Sequence, residues 1–369
     1  MEPIIEGDIA QEFLIPHLRK TEDLFRQALR ELDPFAECSI APAADLCLPH
    51  DVIRLAGGFA TGCLVQWECA VPVVPVDTTV NIDTSSIFWL DEFPQLTAEQ
   101  FSDLRKTIEE RSSYEWNFHK GNHFIALCRR RSDGAPALVI HSNEKEFKYQ
   151  YNGLMPVEGN WFMNDVSVYR AGGRYLRLLT GKKAELFSEI AALMEPYNVV
   201  RHRFIASELL SGRSQVLSDE HHHHYNMPTR QSVAIGCFIA DAGDVRPIFS
   251  RAGSDISMFK VAEGGKNSIR VDGVEKLLVP HGWGKTVSAD LTIAYDEQIL
   301  TLNDVTFENR PLSSIGKHPD LIVRDFDETP AEPGSLFSRM AAHTPGVVVD
   351  SLEQLASYTK DGFVIHGEG

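Results

Sequence analysis

Histidines at the ends of apolar runs are the residues of this chain best placed to do chemistry. In Phe118-His119-Lys120-Gly121-Asn122-His123-Phe124-Ile125-Ala126-Leu127-Cys128 an amide and an imidazole stand directly before a strand-like run, and Gly121 lets the backbone turn or approach a ligand. Three further stretches share this character: Val139-Ile140-His141-Ser142, His221-His222-His223-His224-Tyr225-Asn226, and Val279-Pro280-His281-Gly282-Trp283-Gly284-Lys285. A lone histidine at a strand mouth needs only one hydrogen-bond partner and is commonly structural. Several together, with a carboxylate, form a metal set. Pro75-Val76-Asp77-Thr78-Thr79 puts Asp77 at the end of an apolar run, where a carboxylate is either a turn cap or a hard ligand. Consecutive side chains point different ways, so at most two of the four neighbouring histidines can reach one ion. One Asp and three His suit Mn²⁺ or Zn²⁺. Around His281 the chemistry is different. Gly282 and Gly284 allow backbone N–H groups to approach a phosphate, and Lys285 adds positive charge, so the turn suits an anion held beside an imidazole.

The elements that must position these groups follow from periodicity and punctuation. Phe13, Leu14, Leu18, Leu24, Phe25, Ala28 and Leu29 recur at helical spacing, predicting one or two amphipathic helices around Pro16 that end at Pro34. Residues 37 to 90 read as short strands and tight turns, and a helix starts at the Thr97-x-x-Gln100 capping box. Ser132-Asp133-Gly134 joins the His123 and His141 strands into a hairpin. A long helical region over 183–211, interrupted near Pro196, precedes a polar segment ending in the histidine run. Strands dominate 232–307, and a short helix is expected near Leu352 to Tyr358. Helices and strands come in blocks and do not alternate, which predicts a single α+β domain with mixed or antiparallel sheets over residues 1–369 and disfavours a parallel doubly wound sheet. There is no Walker motif and no G-x-G-x-x-G after a strand.

The chain of 369 residues is 43% hydrophobic, enough for a large core, and no apolar run reaches the roughly 18 residues of a spanning helix. Glu2, Glu6 and Asp8 stand where a signal peptide would carry basic residues, so a cytoplasmic protein without membrane contact is expected. The six cysteines form no C-x-x-C pair and read as reduced thiols. A net charge of -17 argues against broad capture of a nucleic-acid backbone, leaving Arg129-Arg130-Arg131 and the set Arg170, Arg174, Arg177, Lys182, Lys183 as candidates for a local basic groove.

The order of these motifs resembles the RtcB family of RNA ligases, which join RNA ends using GTP and Mn²⁺. Gly121-Asn122-His123-Phe124-Ile125 is similar to the family's G-N-H-F-I-E, His141-Ser142 to H-S-G-S-R, His224 near Asn226 to H-N-Y, and His281-Gly282-Trp283-Gly284-Lys285 to S-H-G-A-G-R. Arg251-Ala252-Gly253 resembles part of a glycine-rich nucleotide segment, and Asp77 is set on V-D-I-G-C-G. The resemblance implies metal ligation by Asp77, His123, His141 and His224. It implies nucleotide contacts from Asn122, Arg251, Gly253, Gly282, Gly284 and Lys285, and a covalent GMP on His281. GTP and Mn²⁺ are the implied cofactors, with Zn²⁺ as the other candidate metal, and RNA ends the implied substrate, in RNA processing such as tRNA splicing. In this register Val80 stands where the family has a metal-bridging Cys, so one ion is expected. Ala126 replaces a Glu, and His366-Gly367-Glu368-Gly369 replaces a terminal Lys-Gly, the two groups that would read guanine. A metal-dependent phosphoesterase and a non-catalytic relative are the other readings.

Overall fold

The structure, a computed structural model, describes residues 2–119, 121–147, 153–250, 253–282, 284–311, 313–324 and 334–366. It is an α+β fold built on an eleven-stranded antiparallel sheet. From one edge the order is Glu37–Cys47, Thr61–Glu68, Ser232–Ile235, Val216–Thr229, Asp83–Leu90, Pro136–Ser142, Phe124–Arg130, Gly346–Thr359, Ile256–Val261 and Val245–Ile248; Gly362–Ile365 also pairs with Gly346–Thr359.

Period-two alternation gives the middle strands two apolar faces. Ile87, Ala126, Cys128 and Val139 pack on one side against Phe238, Phe249, Val279 and Met340. Phe88, Ile125, Leu127, Leu138 and Ile140 pack on the other against Phe101, Leu104 and Ile108 of helix Ala98–Arg111 and Ile205 and Leu209 of helix Lys182–Leu210. A third cluster lies under helix Ile9–Leu32, whose first turn is capped by Asp8 accepting from the Gln11 N–H at 3.1 Å. Pro16 and Pro196 both lie inside single helices, Ile9–Leu32 and Lys182–Leu210, where tertiary packing outweighs the break that proline predicts. The Thr97 capping box is present, and the Phe124–Arg130 and Pro136–Ser142 strands pair directly across a turn in which Gly134 has φ 76°.

One expected element differs. The segment expected as a helix near Leu352 is the strand Gly346–Thr359, bonded on both sides, so ladder pairing overrides its helix-like apolar spacing. The polar segment that carries the histidine run is also a strand, Val216–Thr229, in which His221 and His223 bond Ser86 and Thr84 across the sheet.

All six cysteines are free thiols in buried positions. Burial pushes the Cys38 and Cys63 thiols up to about 12, which leaves almost no thiolate at neutral pH. Native protein is therefore expected to react with a thiol-specific disulfide reagent far more slowly than unfolded protein, which should titrate all six thiols. Rapid titration of two or more in the native state would contradict this packing. No helix among the described residues is long and apolar enough to cross a membrane.

Candidate metal centre and its neighbouring histidine

The site forms at one end of the middle of the sheet because Asp83–Leu90 lies between the two histidine-bearing strands. It pairs with Pro136–Ser142 on one side and Val216–Thr229 on the other. Asp83 opens its strand, His141 is near the end of its own, and His123 directly precedes Phe124–Arg130. The histidine run contains a β-bulge. Asp83 pairs with Tyr225 and Thr84 with His223, so His224 is the extra residue of the ladder. His221 and His223, opposite Ser86 and Thr84, point to the helix-covered face, where His221 meets Ser86 at 2.8 Å and His223 meets Thr84 Oγ1 at 2.9 Å. The bulge turns His224 and Tyr225 together toward the His281 ring instead, with centroid separations of 5.2 and 6.2 Å.

Asp83, His141 and His224 each offer a ligand atom within 4.8 Å of the others, and all three are buried. The Nε2 atoms of His141 and His224 are buried without a hydrogen-bond partner. His123 Nε2 lies 3.4 Å from Asp83 Oδ2, and His141 Nε2 lies 4.0 Å from Asp83 Oδ1. The Nδ1 atoms are held by other groups: His123 by the Asn117 carbonyl at 2.9 Å, His141 by Ser85 Oγ at 2.9 Å, His224 by the His222 carbonyl at 3.4 Å. Holding Nδ1 and presenting Nε2 is how a metal-binding imidazole is fixed in tautomer and direction. Unpaired buried ring nitrogens are costly unless something fills the space between them, and a divalent cation fits this donor set. The protonation states agree. Burial pushes His141 down to about 4 and His224 well below its ordinary value, although Asp83 pulls both the other way. Burial opposes ionisation of Asp83, but at the low pH where it titrates the protonated rings of His141, His123 and His224 outweigh burial and hold its carboxyl below the usual carboxylate range. Neutral imidazoles and an ionised carboxylate are the forms that bind metal without releasing protons.

His281 adjoins this cluster. Its ring stacks on His224, tilted by 23°. Asp45 Oδ2 accepts from His281 Nδ1 at 2.8 Å and from the backbone N–H groups of His281 and Gly282 at 2.9 and 3.0 Å. That leaves Nε2 of His281 as the reactive nitrogen. Two chambers meet at His281, of 230 Å³ and 180 Å³. The larger is lined by Arg54, Asn81, Asp83, Asn122, Tyr225 and Lys285 among others, the smaller by Asn122, Phe124, His141, Phe249 and Lys360. Burial pushes the Lys285 ammonium pKa down, and nearby Lys360 pushes it the same way.

Asp77 is not part of this site. Its carboxylate is buried against Arg177, whose Nε donates to both oxygens at 3.0 and 3.1 Å, and a Cβ at Gly57 would lie 2.3 Å from Asp77 Cβ. The carboxylate of the cluster is Asp83, and with it the assignment of Val80 to a bridging position falls. Both Asp77 and Asp83 follow a β-branched residue, but only Asp83 begins a strand flanked on both sides by histidine strands. Asp77→Ala is expected to leave the largely buried Arg177 unpaired, lowering stability by about 2–4 kcal/mol, less than for a fully buried pair. A denaturant midpoint equal to wild type would contradict a structural ion pair there.

Gly282 has φ 111°, and a Cβ there would meet the Phe249 carbonyl at 2.0 Å, so its role is the close backbone bridge to Phe249 and not a phosphate contact. Gly284 lines the larger chamber and Asn122 lines both. The smaller chamber is lined by Phe249 and Ser250, which precede the expected nucleotide segment, while within that segment the Gly253 N–H donates to Gln354 Oε1 at 3.2 Å and Arg251 lies outside the described residues. Comparisons with protein-family models, curated proteins and solved structures gave no match. The case for function rests on the site's own geometry.

Sequence reasoning missed Asp45, Asp83, Arg54 and Lys360. Lys360 sits in the turn between Gly346–Thr359 and Gly362–Ile365, and Lys360-Asp361-Gly362 is a turn signal that the expected helix had hidden. It supplies a lysine to the smaller chamber, which His281 also lines.

Proposed function

We propose that this protein is a metal-dependent nucleotidyltransferase of the kind the RtcB resemblance implies, joining RNA ends through a nucleotide carried on His281, with Mn²⁺ and GTP as cofactors. The observation that carries this reading is the set of four imidazoles each held through Nδ1, with three Nε2 atoms around Asp83 and the fourth beside them on a ring stacked against His224. A metal here supplies charge stabilisation for a transferring phosphoryl group. His123, His141, His224 and Asp83 would hold it.

The chain's own residues would do the rest. His281 Nε2 attacks the α-phosphorus of the triphosphate, an N–P bond forms, the bond to the bridging oxygen breaks, and pyrophosphate leaves. Asp45 keeps the Nδ1 proton and stabilises the positive charge that grows on the ring, the role a buried aspartate plays toward a catalytic histidine. Lys285 and Lys360 flank the transferring phosphate and stabilise its charge. The terminal phosphate oxygen of an RNA end then attacks that phosphorus, the N–P bond breaks and His281 is restored; a hydroxyl of the second end attacks the activated terminal phosphate, forming the new phosphodiester as GMP leaves.

The Asp83 cluster alone would serve a phosphoesterase, with the Asp45–His281 pair as its general acid or base, so a covalent adduct on His281 is what separates the two readings. Incubation with Mn²⁺ and GTP is expected to add the mass of one GMP to the intact protein, in an acid-labile linkage. No adduct with GTP or any other common triphosphate would reject this reading in favour of the phosphoesterase.

A further inference from the structure

Helix Lys182–Leu210 is apolar on two sides. Toward the protein, Ala184, Phe187, Ala191 and Met194 pack into one core cluster and Ile205, Leu209 and Leu210 into another. Toward solvent, Leu186, Leu193 and Val200 are 46, 69 and 53% exposed. Scattered exposed leucines need no explanation, but these three recur at heptad spacing on a single 29-residue helix, as a row that meets a second helix does. A second exposed row runs beside it at the same spacing: Lys182, Glu189, Pro196 and Arg203.

The charged row selects the partner and its direction. Laid parallel and in register, a second copy of the helix puts Glu189 on Glu189 and Arg203 on Arg203. Laid antiparallel about Leu193, it puts Lys182 opposite Arg203. Laid antiparallel about Pro196, it puts Glu189 of each copy opposite Arg203 of the other and Leu193 opposite Val200, so like charges are parted and apolar residues meet. Both charges remain reachable. Glu189 meets Arg230 at 3.3 Å with both side chains more than half exposed, and Arg203, bonded to Asp219 at 2.6 Å, is itself 55% exposed. Exposed pairs of this kind contribute little and are readily exchanged.

The same axis accounts for a groove at the end of the helix. Phe88, Ala206, Leu210 and Val216 give apolar walls to a cleft of 520 Å³ that Arg203 and Ser207 also line. With the axis at Pro196, Leu186 of the other copy falls opposite Ser207. Charge alone selects the axis, and the groove then receives the one apolar residue of the row left without a counterpart.

We propose that a second copy of this chain docks on this face, two Lys182–Leu210 helices crossing antiparallel on a two-fold axis at Pro196. Each surface is then its own complement, as an isologous dimer requires. The apolar row is short, which makes this a weak dimer at the small end of specific interfaces.

Sedimentation equilibrium of the full chain reads the association. The mass is expected to rise from 41.2 kDa in dilute solution toward twice that at about 200 µM. Leu193→Asp changes an exposed position and is expected to weaken association at least tenfold, because it puts an unpaired charge into the contact. Glu189→Arg and Arg203→Glu are each expected to weaken it about threefold or more, and the two together to associate more tightly than either alone, since the exchanged charges meet again across the axis. Thermal midpoints taken alongside separate lost docking from lost folding. As a second measurement, Pro196→Cys is expected to be joined to its twin by a short bis-maleimide, the native cysteines being buried. A monomer at about 200 µM, a dimer indifferent to Leu193→Asp, a double charge exchange no tighter than the single ones, or no cross-link through Pro196→Cys would each overturn the proposal.

Discussion

Asp83→Asn is expected to weaken Mn²⁺ binding by about 100-fold or more, while Asp77→Asn leaves it unchanged. Both residues are fully buried or nearly so, and both follow an apolar residue, so the contrast depends on where their carboxylates point. Asp83 has one oxygen toward His123 and the other toward His141, and it is the only carboxylate of the three-residue cluster. An amide there removes the anionic ligand and puts an N–H₂ where a cation should sit. Even losing a group that merely orients a ligand typically costs 10–100-fold in affinity, so losing the ligand itself should cost at least the upper end. Calorimetric titration with Mn²⁺ reads the difference. Equal affinity in the Asp83 variant and wild type would remove Asp83 from the centre.

His281→Ala is expected to abolish the nucleotide adduct outright with Mn²⁺ affinity retained, because the ring stacks on His224 without being a ligand. The more informative change is Asp45→Asn. It preserves volume, and its amide oxygen can still accept from His281 Nδ1 and the two backbone N–H groups that meet Asp45 Oδ2, but without the negative charge that stabilises the imidazolium; where the N–H₂ turns to Nδ1 instead, the tautomer whose lone pair faces the wrong way is favoured. The same substitution in a catalytic Asp–His pair costs about 10⁴-fold in rate. Adduct formation is accordingly expected to slow by roughly 10²–10⁴-fold with little change in metal affinity. A rate within about threefold of wild type would make the Asp45–His281 pair structural.

The sequence carried the fold class well because it is written in periodicity. The apolar stripe of helix Ile9–Leu32 and the hairpin around Gly134 were readable from local spacing. It carried His123, His141 and His281 for a related reason: each stands where an apolar run meets a polar break, and these positions are strand ends. The carboxylate was not readable in the same way. Val76-Asp77 and Ile82-Asp83 look alike locally, and only the pairing of Asp83–Leu90 with two distant histidine strands separates them. Asp45 was hidden for the same reason, since its partner is His281, 236 residues further along the chain. His224 depends on a bulge, which moves one residue of the ladder out of register and has no local signature in a run of identical side chains. Lys360 was obscured because a strand bonded on both sides can carry helix-like spacing.

Anomalous scattering from crystals grown with Mn²⁺ tests the metal centre most directly. The predicted result is a peak at coordination distance, about 2.0–2.3 Å, from Asp83 and from the Nε2 atoms of His141 and His224. A peak at the solvent-facing part of the histidine run, at Asp77, or nowhere in the protein would contradict it.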